Sequence, residues 1–323
     1  MPAPSIDSTS ASPGIAEYVN TIGASSPLRK APIPARIRSL STVQTCASAH
    51  FRHNRFVAMK GEPTGRRLVW AAMIAWIRTG LLIVSGIVVT LVVSATLIAV
   101  AAVRPNSPRL DRILKKWSQA WFKLGGVEFS VEGATIDESR SYVIVSNHQS
   151  NFDIMADLLA VPVPGRFMAK KELYRIPVVG SAMKAVGMVK VDRTQHGSSV
   201  HAQLTADARA NTDAARSVIV YPEGTRSRTG ELMAFKRGAF AIAIAGQLPI
   251  LPVTIAGSYR AWPPGGAVRG GPIVARVHDP IETIGMTKGD IGSLSERVRA
   301  AIAADLADLN DRLATDRHHQ SRK

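Results

Sequence analysis

The feature that most constrains the fold is an unbroken apolar stretch between Arg78 and Arg104, in which residues 79–103 carry no charged side chain. As an α-helix this stretch would be about 37 Å long, at ~1.5 Å per residue, against roughly 30 Å for the hydrocarbon core of a bilayer. A helix buried in a soluble domain does not need such length without a polar face, and a signal peptide would lie nearer residue 1. Trp70 and Trp76 suit the interface between lipid and water. Residues 67–104 are therefore predicted to form a membrane-anchoring hydrophobic helix, either crossing the bilayer or re-entrant with a break near Ser85-Gly86.

The charge balance indicates an anionic partner, because 40 Lys and Arg residues face 24 Asp and Glu residues, a formal net charge of +16. Aromatic residues make up only 6% of the chain and do not alternate with the basic residues, which argues against nucleic acid. The anionic partner is therefore expected to be an acidic lipid surface or a phosphorylated substrate. The single cysteine, Cys46, excludes an internal disulfide and a multi-cysteine metal site.

Basic residues flank both ends of the apolar stretch, and the denser cluster follows it. By the positive-inside rule, the part after residue 104 is expected on the cytoplasmic side of the cell membrane. Within this cluster, residues 105–126 combine apolar residues at helical spacing with lysines and arginines, which predicts a basic amphipathic helix at the membrane surface. An ordinary surface helix packed on its own domain is the alternative. The apolar positions are Leu110, Ile113, Leu114, Trp117, Trp121 and Leu124.

From residue 127 onward, short β-branched runs alternate with helical patterns, which predicts one α/β domain with a largely parallel central sheet flanked by helices. We assign this domain to residues 127–315 and the last residues, 316–323, to a basic tail. Residues 1–66 are rich in Ser, Pro, Ala and Arg without a sustained period, and are predicted to be a disordered extension. Strands are expected at 127–131, 142–145, 166–169, 188–191, 217–221, 250–255 and 273–277. Helices are expected at 152–160, 178–186, 200–215, 237–246 and 293–314.

The end of the second predicted strand carries the sequence SNHQSNFD, residues 146–153, with His148 and Asp153 five residues apart. On one ideal helix their side chains would point about 140° apart and would not meet. If His148 lies in a turn and Asp153 in the first turn of the next helix, the carboxylate can orient the imidazole as a base. The alternative for Asp153 is a capping role, since Ser150-x-x-Asp153 resembles a capping box.

A second strand ends in YPEGTRSR, residues 221–228. Gly224 permits a tight turn in which backbone N–H groups approach a ligand, Thr225 offers a hydroxyl, and Arg226 has a fork that matches a phosphate. Glu223 can accept hydrogen bonds from a polyol. An exposed basic turn is the alternative, but ligands of α/β sheets gather at the carboxyl ends of strands. Arg193, at another predicted strand end, and Lys236 add positive charge.

Four blocks, in this order, resemble the glycerolipid acyltransferase family: NHQSNFD, GMVKVDR, YPEGTRS and LPILPV. The resemblance covers residues 127–277, and the stretch RFMAKKELYRIPVVGSAM, 166–183, is similar to the 1-acylglycerol-3-phosphate branch. The resemblance implies that His148 is the general base and that Asp153 orients it. It also implies that the glycerol phosphate is bound by Arg193, Glu223, Gly224, Thr225 and Arg226.

The activity that this resemblance implies is transfer of an acyl group from acyl-CoA or acyl-ACP to the sn-2 hydroxyl of 1-acylglycerol-3-phosphate, giving phosphatidic acid. No cofactor and no metal are expected. The expected partners are the lysolipid, the acyl donor and an anionic membrane surface. Three alternatives remain open: an acyltransferase for another lysolipid such as a lyso-ornithine lipid, a hydrolase using the same His-Asp pair, and a non-catalytic module that binds anionic lipid.

Overall fold

The computed structural model describes residues 65–192 and 198–320. The extension predicted over residues 1–66 therefore lies outside the described residues except for its last two. Arg193 and the last three residues of the predicted basic tail also lie outside them.

The described chain forms seven strands and eight α-helices, and its central sheet confirms the predicted fold class. The strands are β1 (Val127–Gly133), β2 (Val143–Ser146), β3 (Gly165–Lys170), β4 (Val189–Val191), β5 (Ser217–Val220), β6 (Ile250–Ala256) and β7 (Gly271–Val277). The helices are α1 (Gly65–Val103), α2 (Pro108–Gly125), α3 (Asp153–Ala160), α4 (Val179–Ala185), α5 (Ser198–Asp213), α6 (Gly238–Gly246), α7 (Ser258–Ala261) and α8 (Ile291–Gln320).

The sheet has the order β1-β7-β6-β2-β5-β3-β4, and its five strands from β6 to β4 run parallel. Alternate residues of β2 face opposite layers: Ile144 packs in a core with α2 and α3, whereas Val143 and Val145 pack in a core with α6 and α8. Because both faces are covered, the central strands are continuous apolar runs rather than alternating ones.

The edge strands β1 and β7 depart from the parallel arrangement, since β7 pairs antiparallel with β6 and parallel with β1. The connection from β6 to β7 contains only the four-residue α7. A parallel partner needs a crossover that usually contains a longer helix, so the chain instead returns antiparallel.

Three short elements were not predicted: α7 and the 3₁₀ helices Lys171–Arg175 and Lys288–Asp290. The last helix, predicted at 293–314, continues to Gln320 and so includes part of the segment assigned to a basic tail.

The apolar stretch forms the continuous helix α1, and the alternative of a break near Ser85-Gly86 is wrong. Gly86 serves packing instead, because the ring of Trp121 from α2 occupies the space where a side chain would stand. A stripe of buried residues on one side of α1, at spacings of three, four or eight, docks this helix on the domain, namely Thr79, Leu82, Gly86, Ser94 and Leu97.

Two hydroxyl groups within this apolar helix make specific contacts with the domain. The backbone N–H of Val268 donates to Thr79 Oγ1 at 2.9 Å. The indole N–H groups of Trp117 and Trp121 both donate to Thr90 Oγ1, at 3.0 and 3.3 Å. These contacts explain why threonines occur in an otherwise apolar sequence.

The opposite face of α1 exposes large apolar side chains, including Ile83, Val84, Ile87 and Val88. Among the described residues, Ala72–Val103 is the one stretch that is long and apolar enough to cross a membrane by length and composition. This face is consistent with membrane association.

Gly86→Val is expected to destabilise the protein, because a Cβ at Gly86 would lie only 2.2 Å from the Trp121 ring. Forcing volume into a packed contact costs about 1–3 kcal/mol, which corresponds to a fall of several degrees in Tm. Gly80→Val in the same helix is the matched control, since nothing lies within 4 Å of that position. Thermal unfolding of the detergent-solubilised variants gives the comparison, and equal Tm values would contradict the docking of α1 on Trp121.

Candidate active site

The turn between β2 and α3 brings His148 and Asp153 together. Nδ1 of His148 lies 3.1 Å from Oδ2 of Asp153, whose carboxylate is fully buried. The same oxygen accepts backbone hydrogen bonds from Gln149 and Ser150, each at 2.6 Å. One carboxylate thus orients the imidazole and holds the turn that precedes α3. It does not complete a capping box, because the N-cap residue of α3 is Phe152 and no side chain caps this helix.

Glu223 holds the two strand-end loops together. Its Oε1 accepts from the backbone N–H of His148 at 2.6 Å, and its Oε2 accepts from the backbone N–H of Met233 at 2.9 Å. Burial raises the pKa of the Glu223 carboxyl to about 7. Each carboxylate oxygen of Glu223 thus has a backbone donor, and the polyol contact expected from the sequence stays a prediction.

The remaining residues of the second motif lie at the same edge of the sheet. Gly224 adopts a φ of 75°, and a side chain there would meet the Lys236 side chain, whose Nζ is 2.6 Å from the position of a Cβ. Arg226 Nε donates to the Ser150 carbonyl at 3.2 Å, which holds the arginine against the turn that carries His148. Thr225 and Arg226 line one cavity with His148. The structure thus brings together every predicted site residue except Arg193, which it does not describe.

Two residues of the site were given no role in the sequence analysis: Tyr221 and Asp157. The Tyr221 ring stacks on the His148 imidazole, with centroids 3.8 Å apart and planes 8° from parallel. Its hydroxyl donates to Asp157 Oδ2 at 2.6 Å. Imidazole motion is thus limited in its plane by Asp153 and on one face by Tyr221. The sequence signal for Asp157 was a carboxylate inside the apolar run IMADLLA, four residues after Asp153.

Burial also decides the ionisation of this pair. It raises the pKa of Asp157, which is fully buried, to about 8, and it raises the pKa of the Tyr221 phenol well above its ordinary value. Both groups are therefore uncharged at neutral pH, and they do not add a second negative charge beside the His148–Asp153 pair.

We expect stability to fall as the pH rises from about 4 to about 8. In the folded protein Glu223 and Asp157 keep their protons up to about 7 and 8, whereas in the unfolded chain they release them near pH ~4. These two carboxyls bind more protons in the folded state throughout this window, whereas His278, whose pKa is lowered by burial, binds fewer near its ordinary value. The two carboxyls have the larger shifts, so the free energy of unfolding decreases with pH. Asp157→Asn should flatten the decline of Tm between about pH 5 and pH 8. A slope equal to that of the parent protein would contradict the raised pKa.

The cavity beside His148 has a volume of about 460 Å³ and is mostly apolar away from Arg226. This volume is within the ~300–1,000 Å³ typical of ligand pockets. Its apolar walls include Val93 and Leu97 of α1, Leu114 of α2, Leu158 of α3, Phe167 of β3, and Ala182 and Met183 of α4. The cavity suits a long apolar chain whose polar end lies at His148 and Arg226. In residues 65–192 and 198–320, no three side chains of ligating type are grouped as a metal site requires.

Comparison with known proteins identifies the family. The family model described as Acyltransferase matches residues 128–256. A human protein named 1-acyl-sn-glycerol-3-phosphate acyltransferase alpha is 34% identical over 205 residues, which cover 62% of this chain and 72% of the human protein. The chain belongs to the acyltransferase family. This acyltransferase is therefore an enzyme, and the resemblance inferred from its four motifs is confirmed.

Further relatives agree with this assignment. The 1-acyl-sn-glycerol-3-phosphate acyltransferase of Saccharomyces cerevisiae is 32% identical over 187 residues, 57% of this acyltransferase and 61% of the yeast protein. The crystal structure of the 1-acyl-sn-glycerophosphate acyltransferase PlsC from Thermotoga maritima superposes with a TM-score of 0.62 at 23% identity. It covers 74% of this chain and 98% of the Thermotoga chain, so the fold is shared.

Proposed function

We propose that this acyltransferase moves a fatty acyl group from acyl-CoA or acyl-ACP to the sn-2 hydroxyl of 1-acylglycerol-3-phosphate, giving phosphatidic acid. The observation that carries the proposal is one cavity lined by a carboxylate-oriented imidazole, the Arg226 guanidinium and mostly apolar side chains. The human and yeast relatives, named for acyl transfer to this lysolipid, support the choice of acceptor.

His148 acts as the general base in this mechanism. The Asp153 carboxylate accepts the Nδ1–H, which leaves Nε2 with a lone pair to take the proton of the acceptor hydroxyl. The hydroxyl oxygen attacks the thioester carbonyl, a C–O bond forms and the C–S bond breaks. The thiolate leaving group then takes the proton from the imidazolium, so His148 returns to its starting state.

Positive charge at the same edge of the sheet binds the acceptor phosphate. Arg226 supplies a fork that matches two phosphate oxygens, and Thr225 adds a hydroxyl. Lys236, which packs against Gly224, contributes positive potential. Arg193 joins this group in the proposal on the strength of the family resemblance alone. Glu223 acts through the backbone by fixing the turn at His148.

The lining of the cavity supports a reaction next to the membrane. One wall of the cavity is α1, whose other face exposes apolar side chains. A lysolipid can then keep its chain in an apolar environment while its headgroup reaches Arg226. We assign the enzyme to the cell membrane, with its catalytic domain on the cytoplasmic side.

The test is the product formed by the purified enzyme from acyl-CoA or acyl-ACP and a panel of acceptors. The panel contains 1-acylglycerol-3-phosphate, a neutral monoacylglycerol, a lysophosphatidylcholine and a lyso-ornithine lipid. Phosphatidic acid should form fastest. Free fatty acid as the sole product would identify a hydrolase, and equal rates with the monoacylglycerol would reject phosphate recognition.

A further inference from the structure

A cluster of exposed apolar residues lies in the segment between β3 and α4, residues 171–178, here called the β3–α4 segment. Among the described side chains after residue 126, five large apolar ones are exposed. Three of the five fall within six residues of this segment: Leu173 (42% exposed), Ile176 (44%) and Val178 (38%). Single exposed apolar residues are ordinary on protein surfaces, whereas a contiguous group marks an interaction site.

The backbone of this segment is strained at Val178, which adopts a φ of 65°. A β-branched residue rarely occupies this region, and such strain is typical of functional loops. The neighbouring Pro177 is also exposed. The exposed apolar surface of this segment is unfavourable in water and would be relieved by an apolar partner.

Exposed basic residues outnumber acidic ones next to the apolar cluster. Lys170, Arg175 and Lys184 are exposed, against one exposed carboxylate in the segment, Glu172, and Lys171 pairs with Asp192 at 2.6 Å. An apolar tip with a basic rim matches a bilayer surface that contains anionic lipid. A second copy of this chain is a poor occupant, since it would bring an equally basic rim and a further net charge of +16.

The segment and α1 border the same cavity. Helix α4 packs against α1, and Leu173 and Val179 line the same cavity as Thr90, Val93 and Leu97 of α1. The cavity is therefore bounded by two elements that each expose apolar side chains.

We propose that the β3–α4 segment is a second membrane contact of the enzyme. Leu173, Ile176 and Val178 insert among lipid acyl chains beside α1, while Lys170, Arg175 and Lys184 meet anionic headgroups. A lysolipid then enters the cavity sideways from the bilayer, between α1 and this segment. The inference rests on the proposed membrane association of α1 but not on the identity of the acceptor.

Fluorescence quenching in vesicles tests this contact. In the full chain with Cys46→Ser, Ile176→Cys is labelled with an environment-sensitive dye, and the protein is reconstituted with phosphatidylcholine and phosphatidylglycerol. Lipids that carry a spin label on the acyl chain should quench most of the emission.

Ile284→Cys is the matched control, because this isoleucine is 75% exposed but lies elsewhere. The backbone N–H of the next residue, Gly285, donates to the side chain of Gln247, which precedes the first residue of β6, so Ile284 lies near the amino end of β6. The β3–α4 segment instead follows the carboxyl end of β3. Since β3 and β6 run in the same direction, the two sites lie at opposite edges of the sheet.

An unquenched label at Ile176, or equal quenching at both sites, would overturn the proposal. A blue shift at Ile176 without quenching by lipid would indicate a protein contact instead and would also overturn it. In a second measurement, Ile176→Glu should raise the KM for acceptor in vesicles and leave activity on detergent-dispersed acceptor unchanged. A loss in both media would contradict a membrane role, whereas an inactive parent protein would instead reject the proposed function.

Discussion

Replacement of His148 with alanine is expected to lower kcat for acyl transfer by about 10²–10⁴-fold, the usual contribution of a general base. An alcohol has a pKa far above neutrality, so without a base its oxygen attacks the thioester slowly. The loss corresponds to roughly 3–5 kcal/mol of transition-state stabilisation. Initial rates of phosphatidic acid formation at saturating donor and acceptor provide the measurement. Residual activity within a factor of a few of the parent enzyme would remove His148 from this role.

His278→Ala is a matched control for this substitution. His278 is also partly enclosed, with Nε2 within 2.8 Å of Thr254 Oγ1 and 3.2 Å of Asp305, but it does not line the cavity. Its loss should reduce stability and leave kcat within about twofold, because general-base catalysis requires contact with the reacting hydroxyl.

Asp153→Asn, like His148→Ala, should lower kcat, since an amide can present an N–H to Nδ1 of His148 and reverse the tautomer of the imidazole.

Replacement of Arg226 with alanine is expected to raise the KM for 1-acylglycerol-3-phosphate by about 10–100-fold, because hydrogen bonds to charged groups contribute about 1.5–3 kcal/mol. The guanidinium lies at the cavity next to His148, held by the Ser150 carbonyl. Steady-state kinetics with the acceptor as the varied substrate measure the effect. A fall in kcat with an unchanged KM would reject Arg226 as the phosphate ligand.

Arg228→Ala distinguishes a specific ligand from general positive charge. Arg228 belongs to the same motif but is exposed and absent from the cavity wall. Its removal should leave KM within about twofold at moderate salt, because exposed charges are screened. Equal effects of the two substitutions would indicate that overall charge, rather than Arg226, attracts the acceptor.

The sequence predicted the features that depend on residues close together along the chain. The long apolar helix α1 follows from an uncharged stretch longer than a bilayer core, and the central strands follow from apolar runs of β-branched residues. The meeting of His148 with Asp153 was also predictable, because a turn followed by the first residues of a helix brings positions five apart into contact.

The strand order, the cavity and half of the site depended on contacts that local pattern does not encode. Tyr221 and Asp157 are 64 residues apart in sequence, and Glu223 reaches the backbone of His148 across 75 residues. Trp117 and Trp121 of α2 determine which side of α1 packs against the domain, because both donate to Thr90.

The sequence by itself thus determined the family, the predominantly parallel α/β fold and the chemistry available to the enzyme, because motif residues and hydrophobic periods act over short distances along the chain. Only the tertiary structure decided that Glu223 supports a turn, that Tyr221 stacks on the His148 imidazole, and that α1 closes the cavity. These outcomes depend on which strands become neighbours and on how side chains fill the space between layers, and packing of that kind is a property of the assembled fold.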